Sequence, residues 1–263
     1  MKSVRFLLVS CFAFLPTVAS FAQEVAPAQT NTTQQLTAPN PDKWWFEIDP
    51  YLWMTALKTE ADIGPVDAES DLDFGDILDH LQGALMLHAE AHKGHWGIFG
   101  DVMWAKIEAE DDIGPNNGGE IEVEVGQTFL ELGGLYTFGS NKATFDVLFG
   151  ARAAFINTDI EIIGAAGGDA SRDGDTSWVE PMIGGRFRYA FTPKWFISTR
   201  ADVSGFGLGS EITWNANAFV GYRFTKMFSM ALGYRYMFID YEDGDLDMKM
   251  TMQGPVLGFG FRF

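Results

Sequence analysis

Phe228-Ser229-Met230-Ala231-Leu232-Gly233-Tyr234-Arg235-Tyr236-Met237-Phe238-Ile239 is the stretch on which the fold turns. Phe228, Met230, Leu232, Tyr234, Tyr236 and Phe238 fall on one side of an extended chain, and mostly small residues and Arg235 fall on the other. A period of two is a strand, not a helix. The pattern recurs. Phe145, Val147, Phe149, Ala151, Ala153 and Phe155 oppose Asp146, Gly150 and Arg152, while Trp214, Ala216, Ala218, Val220, Tyr222 and Phe224 oppose Asn215, Asn217 and Arg223. Ten such runs can be counted, at 44–59, 82–93, 95–110, 119–138, 143–162, 177–191, 195–206, 212–224, 228–241 and 248–263. The fourth changes parity near Gly126, which predicts a bulge there.

The connections alternate in length. Lys93-Gly94, Gly139 to Lys142, Thr192 to Lys194 and Thr225 to Met227 are tight, whereas 60–81, 111–118, 163–176, 207–211 and 242–247 are mostly longer. An even number of long strands with short turns at one end matches an all-β, transmembrane up-and-down antiparallel barrel, with ten strands expected and 8–12 compatible.

A soluble barrel also alternates, so direction needs separate evidence. Several runs exceed the ~9–11 residues that a tilted strand needs to cross a bilayer. The polar face gathers Glu47, Asp49, Glu90, Asp101, Glu131, Asp146, Glu180 and Asp202 with Arg152, Arg186, Arg188, Arg200, Arg223 and Arg235. That near-neutral set fits an enclosed ion-pair network. Lys93, Lys142, Lys194 and Lys226 stay beside the tight turns, as expected of a strongly hydrated ammonium. Trp44, Trp45, Trp96, Trp104, Trp178, Tyr189, Trp195 and Tyr222 lie near run ends and are expected to form interfacial girdles.

Residues 1–22 read as a signal peptide: Lys2 and Arg5 precede an apolar stretch from Phe6 to Val18, and Ser20-Phe21-Ala22 offers a cleavage site. Cleavage removes Cys11, the only cysteine, and with it any disulfide or thiol chemistry. Residues 23–43, rich in Ala, Pro, Gln and Thr, read as a flexible periplasmic linker before the barrel at 44–263. No later window supplies 18 uncharged apolar residues for a spanning helix. The formal net charge of −18 excludes nucleic acid as a partner, because phosphate binding needs clustered Lys and Arg.

The chain ends Leu257-Gly258-Phe259-Gly260-Phe261-Arg262-Phe263. Phe259, Phe261 and Phe263 resemble the assembly signal of bacterial outer-membrane barrels, and the resemblance covers residues 44–263 as a pattern. It implies the Gram-negative outer membrane and its lipopolysaccharide as surroundings, and insertion by the barrel-assembly machinery. Pro50-Tyr51-Leu52-Trp53, Asp76-Ile77-Leu78 and Lys93-Gly94-His95-Trp96-Gly97 also resemble a functionally uncharacterised proteobacterial group of such proteins, which brings no activity with it.

The long connections hold most of the excess acid. Loop 60–81 carries Glu60, Asp62, Asp67, Glu69, Asp71, Asp73, Asp76 and Asp79, and Phe74, Ile77, Leu78 and Leu81 within it predict a short helix capped by Asp73. Asp243, Asp245 and Asp247 could offer oxygen ligands to divalent cations, without a full EF-hand pattern. His88, Glu90 and His92 alternate on one strand face, a possible metal set that interior ion pairing also explains. No Gly-x-Ser-x-Gly element is present, and His92 lies at the tight-turn end, away from the rim where outer-membrane hydrolases work. Ten strands match the size of outer-membrane aspartyl-type proteases, but fold does not transfer activity. The expectation is therefore a non-enzymatic, cofactor-free barrel with a polar, ion-paired lumen. It would act structurally or as a narrow, porin-like channel for small solutes; the alternatives are a surface-binding barrel with acidic loops for cations, lipopolysaccharide or a host ligand, and a barrel-embedded hydrolase.

Overall fold

The structure, a computed structural model, describes residues 43–63, 66–113, 119–140, 142–164, 170–244 and 246–263. The signal peptide, and the linker up to residue 42, lie outside the described residues.

Ten antiparallel strands close into a barrel, with two further strands outside the ring. The ring comprises β1 (Trp44–Trp53), β4 (Leu81–Lys93), β5 (Trp96–Ile113), β6 (Gly119–Ser140), β7 (Ala143–Ile163), β8 (Ala170–Ala190), β9 (Trp195–Leu208), β10 (Ser210–Arg223), β11 (Phe228–Asp243) and β12 (Leu246–Arg262). The seam is β1 against β12, with Glu47 opposite Arg262 and Trp53 opposite Val256. Phe263 exchanges both backbone hydrogen bonds with Phe46 there. Closure leaves no unpaired edge to face hydrocarbon.

The first run breaks at Met54 and Thr55. Its upper part is a separate strand, β2 (Ala56–Ile63), which pairs with the upper half of β12, and β3 (Val66–Leu72) pairs with β2. Loop 60–81 is thus largely a hairpin. The helix α1 (Phe74–Asp79) follows it. Asp73 caps that helix by accepting from the backbone N–H of Gly75 and Asp76, while Asp76 accepts from that of Asp73. Ile77 packs on the upper lumen core, but Leu78 is exposed, so the apolar stripe is only half used.

The strands also extend into two other expected loops. β5 runs to Ile113, β6 starts at Gly119, β7 runs to Ile163 and β8 starts at Ala170. The acids placed in loops therefore stand on a wall. There is also no bulge at Gly126, which pairs in unbroken register with Lys106 and Asn157. The register shifts occur instead at Leu81/Gly83 and at Ser210/Ile212.

The parity change near Gly126 has a different cause: the wall changes solvent. Below the level of Trp104, Phe155 and Trp214, apolar side chains such as Ile98, Leu132, Phe149, Val179 and Leu232 are exposed on the outside, and charged ones are buried inside. Above it the faces exchange roles. On β7, Asn157, Asp159 and Glu161 are exposed outside, while Ile156, Ile160 and Ile162 face in and are half-buried. On β6, Glu122 and Glu124 pair with Glu161 and Asp159 on that outer face, and Ile121, Val123 and Val125 take the inner one. The upper lumen is filled by Trp53, Phe129, Trp178, Tyr241, Met103, Met237, Met248, Met250 and Met252. The expected polar interior holds only for the lower zone, and even there Phe99, Leu135, Leu148 and Met182 form an apolar wedge. From Phe145 to Phe155, strand rise and tilt give about 25 Å of height, the thickness of an apolar outer-membrane band.

Trp44, Trp96, Trp104 and Trp195 lie on the outer surface as girdle residues should. Trp45 and Trp178 do not. Trp45 stacks on His92 at 3.9 Å inside the lumen, and Trp178 is buried against Tyr241 at 4.3 Å.

If the medium changes at the Phe155 level, Leu132→Arg in mid-band should cost about 2–4 kcal/mol. Asn157→Lys, just above the boundary, should stay within about 0.5 kcal/mol. Denaturant unfolding of both variants in lipid vesicles checks the pair; equal costs would remove the boundary.

Candidate functional site

Each ring strand in the lower zone brings at least one ionisable side chain inward, because a residue two positions from an inward residue is also inward. The result is a hydrogen-bonded circuit around the lumen. Arg152 on β7 donates to Asp202 on β9 at 2.6 Å, and Asn215 on β10 donates to the same carboxylate at 2.9 Å. Arg235 on β11 donates to Asn215 at 2.8 Å and contacts the Tyr51 hydroxyl on β1 at 3.3 Å. Tyr51 donates to Asp101 on β5 at 2.8 Å, and His88 on β4 bridges Asp101 and Glu90 at 3.1 and 2.9 Å. Glu90 receives a two-pronged contact from Arg186 on β8, which also donates to Asp146 at 2.8 Å and so returns the circuit to β7.

The centre of this layer is Arg152, at 1% side-chain exposure. It donates to Glu131 at 2.7 Å and to Ser204 at 2.7 Å, and Arg200 links Glu131 and Asp202 at 2.7 and 2.8 Å. Glu180 has its own hydroxyl cradle. Ser204 donates to it at 2.5 Å, Thr213 at 3.2 Å and the Trp178 indole at 3.1 Å, and Ser210 is also bonded. Ser210 packs against Gly205 (φ 94°), which takes a left-handed conformation in the last, turn-proximal part of β9, and a Cβ there would meet the Ser210 hydroxyl at 2.4 Å. Arginine suits this role, since its planar fork satisfies two carboxylates at once.

Every residue expected on the polar face is in the lower lumen. Glu47 is joined to Arg262 at 2.6 Å, and Arg188 to Asp146 at 3.1 Å. His92 contacts Glu90 at 2.6 Å and Asp49 lies opposite His88 in register. In the set His88, Glu90 and His92, both nitrogens of His88 and one of His92 are engaged by carboxylates, with Arg186 on Glu90 as well. Asp247 contacts Lys249 at 3.6 Å, Asp243 is the weak acceptor of the Tyr241 hydroxyl, and Asp245 lies outside the described residues. Of the terminal aromatic residues, Phe261 and Phe263 are exposed and Phe259 is half-buried.

Sequence reasoning overlooked Arg262, although it shares parity with Gly258 and Gly260. It also overlooked Tyr51, Ser204, Ser210 and Thr213, uncharged residues that parity alone could have placed inward.

No family model matches the chain, and no curated sequence does. Among solved structures, the outer-membrane protease OmpT from Escherichia coli is similar at a TM-score of 0.53 and 10% identity, over 85% of this chain and 98% of that one. Ail of Yersinia pestis, solved with the heparin analogue sucrose octasulfate, aligns at 0.38 and 11% identity, over 84% and 99%. The translocator domain of the autotransporter NalP from Neisseria meningitidis aligns at 0.38 and 12%, over 83% and 88%. All three are bacterial outer-membrane β-barrels; the fold is shared with OmpT, and an identity this low carries no activity across.

Removing the central cation should be severe. Arg152→Met leaves Glu131, Asp202 and Glu180 buried around an apolar side chain, with an expected loss of about 3–5 kcal/mol. Denaturant unfolding in detergent measures it.

Proposed function

We propose that this chain is a non-conducting outer-membrane barrel that holds a rigid crown at the cell surface, and not a solute channel or an enzyme. The observation that carries this reading is the circuit through Arg152, Asp202, Asn215, Arg235, Tyr51, Asp101, His88, Glu90, Arg186 and Asp146. Its members come from eight of the ten ring strands, and Glu131 on β6 adds a ninth. Eight-stranded barrels are filled by side chains and sixteen-stranded ones are open, so ten strands need a layer of long, mutually bonded side chains to close. The Met-rich core above adds a second obstruction. Planar-bilayer recording on folded protein should show no sustained conductance steps, and Arg152→Ala with Arg200→Ala should introduce them. Stable steps from the unaltered protein would reject the reading.

A second reading, cation retention at the crown, is favoured by carboxylates directly opposite one another in register. Glu108 faces Glu124, which faces Asp159, and Glu110 faces Glu122, which faces Glu161. Oxygens of Glu108, Glu110 and Glu122 come within 4.8 Å of one another. Like charges opposite one another destabilise a sheet, and divalent cations would relieve them. Partial desolvation, followed by the charges of Glu108, Glu110, Glu161 and Glu120, raises the Glu122 carboxyl above its ordinary range. A carboxyl raised on folding lowers stability as pH climbs through that interval. Glu122→Gln should therefore raise the melting temperature at pH 7–8 and change little below pH 4, and millimolar Ca²⁺ should narrow the difference. Thermal unfolding in detergent across that pH range checks this.

A further inference from the structure

The lumen becomes progressively wetter toward the tight turns. Side-chain exposure is 1% at Arg152, 11% at Arg186, 24% at Arg188 and 38% at Arg262. This end opens as a vestibule, on the periplasmic side if short turns are periplasmic as in other outer-membrane barrels. Three guanidiniums stand around it, Arg188 on β8, Arg223 on β10 and Arg262 on β12. On β12 a Cβ at Gly258 would meet nothing nearer than 3.8 Å, whereas one at Gly260 would meet the Ser229 hydroxyl at 2.5 Å and the Asp49 carboxylate at 2.9 Å.

The charges here do not balance as they do above. Glu47 is committed to Arg262, at 2.6 Å. Asp146, the partner of Arg188 at 3.1 Å, is already bound by Arg186 at 2.8 Å and by Thr137 at 2.7 Å. Arg223 forms no ion pair among the described residues, and its buried Nη1 has no hydrogen-bond partner. The charges that act on it are those of Arg262, Glu47 and Arg188, two of them positive. Its guanidinium instead lies 4.5 Å over the Phe196 ring, as Arg262 lies 4.5 Å over Trp45. Stacking on a ring fixes the guanidinium plane and leaves its N–H edge free for an in-plane acceptor. A buried donor without an acceptor is costly, and native proteins rarely tolerate one unless an ion or water completes it.

We propose that this vestibule binds a small oxyanion of the phosphate class, held by the fork of Arg223 with Arg188 and Arg262 supplying further positive charge. Phosphate chemistry fits because a tetrahedral oxyanion presents several acceptors to donors arriving from different strands, and guanidinium matches it bidentately. Glu47 and Asp49 at the same end oppose a large polyanion, which restricts the ligand to a compact group. The inference is independent of whether the barrel conducts.

The test is titration of inorganic phosphate into the folded full-length barrel in detergent, at low ionic strength. It is followed by calorimetry and by ³¹P line broadening. Saturable binding at one site per chain is expected, weakened at least tenfold in Arg223→Gln and less in Arg223→Lys, with Asp73→Asn unchanged. Folding of each variant is verified by heat-modifiable gel migration. Should Arg223→Gln not fold, the line broadening of the unaltered protein decides: its reversal by sulfate, but not by equimolar chloride, supports the site. Replacing phosphate by a phosphomonoester separates a free anion from an anionic headgroup, and binding of either supports the proposal. No saturable binding, equal affinity in a folded Arg223→Gln, or equal displacement by chloride would overturn it.

Discussion

One wall has to satisfy two solvents, and that constraint organises the whole molecule. A strand offers two faces and cannot change which face is which without a bulge. The surroundings of the barrel change instead, from hydrocarbon to water, at the level of Trp104, Phe155 and Trp214. Polarity therefore exchanges faces while the backbone register runs on undisturbed through Gly126. Below the boundary the outside must be apolar, and the inside receives the charges. Above it the outside carries Glu122, Asp159 and Glu161, and the inside becomes an ordinary apolar core of Met, Trp and Phe.

This explains which parts of the structure were legible in the sequence. Ten runs, their tight turns and the direction of their aromatic stripes followed from period-two alternation, because in the bilayer zone each strand obeys a single rule. The crown did not follow. The runs at 95–110, 119–138 and 143–162 reached into it, but its outward positions are acidic, and stretches such as 170–176 at the start of β8 read as soluble loop. The hairpin of β2 and β3 was hidden the same way, by dense acids around Gly64-Pro65. Trp45 and Trp178 show the opposite error: position near a strand end suggested a girdle, whereas parity with Glu47 and Glu180 places both in the lumen.

The charged layer was legible as a list but not as a connection diagram. Alternation places Arg152, Glu131 and Asp202 on the inner face, yet only barrel closure brings β7, β6 and β9 to a shared centre. Uncharged members were harder still. Asn215 links Asp202 to Arg235, and Tyr51 links Arg235 to Asp101, so two neutral side chains complete a circuit of ions. Buried ion pairs are weak evidence of stability in themselves, because desolvation offsets most of their attraction. Breaking one, by contrast, strands charge in a dry interior, so the network specifies strand neighbours more than it strengthens the barrel.

Why the bilayer zone keeps charge inside at all follows from the route such a chain must take. An apolar lumen would fill the barrel as well as the Met cluster fills the crown, but it would make each strand apolar on both faces. Runs of that kind approach the hydropathy of a spanning helix, and exposed on the way they would pair indiscriminately as β-segments. Here every ring strand carries an inward ionisable group, from Glu47 on β1 to Arg262 on β12. An isolated strand is thus too polar to lodge in a membrane alone. Only the closed ring, in which Arg152 finds Glu131 and Asp202 and Arg186 finds Glu90 and Asp146, offers hydrocarbon a uniformly apolar surface. The charges that line the lumen therefore favour insertion of the closed ring over insertion of single strands.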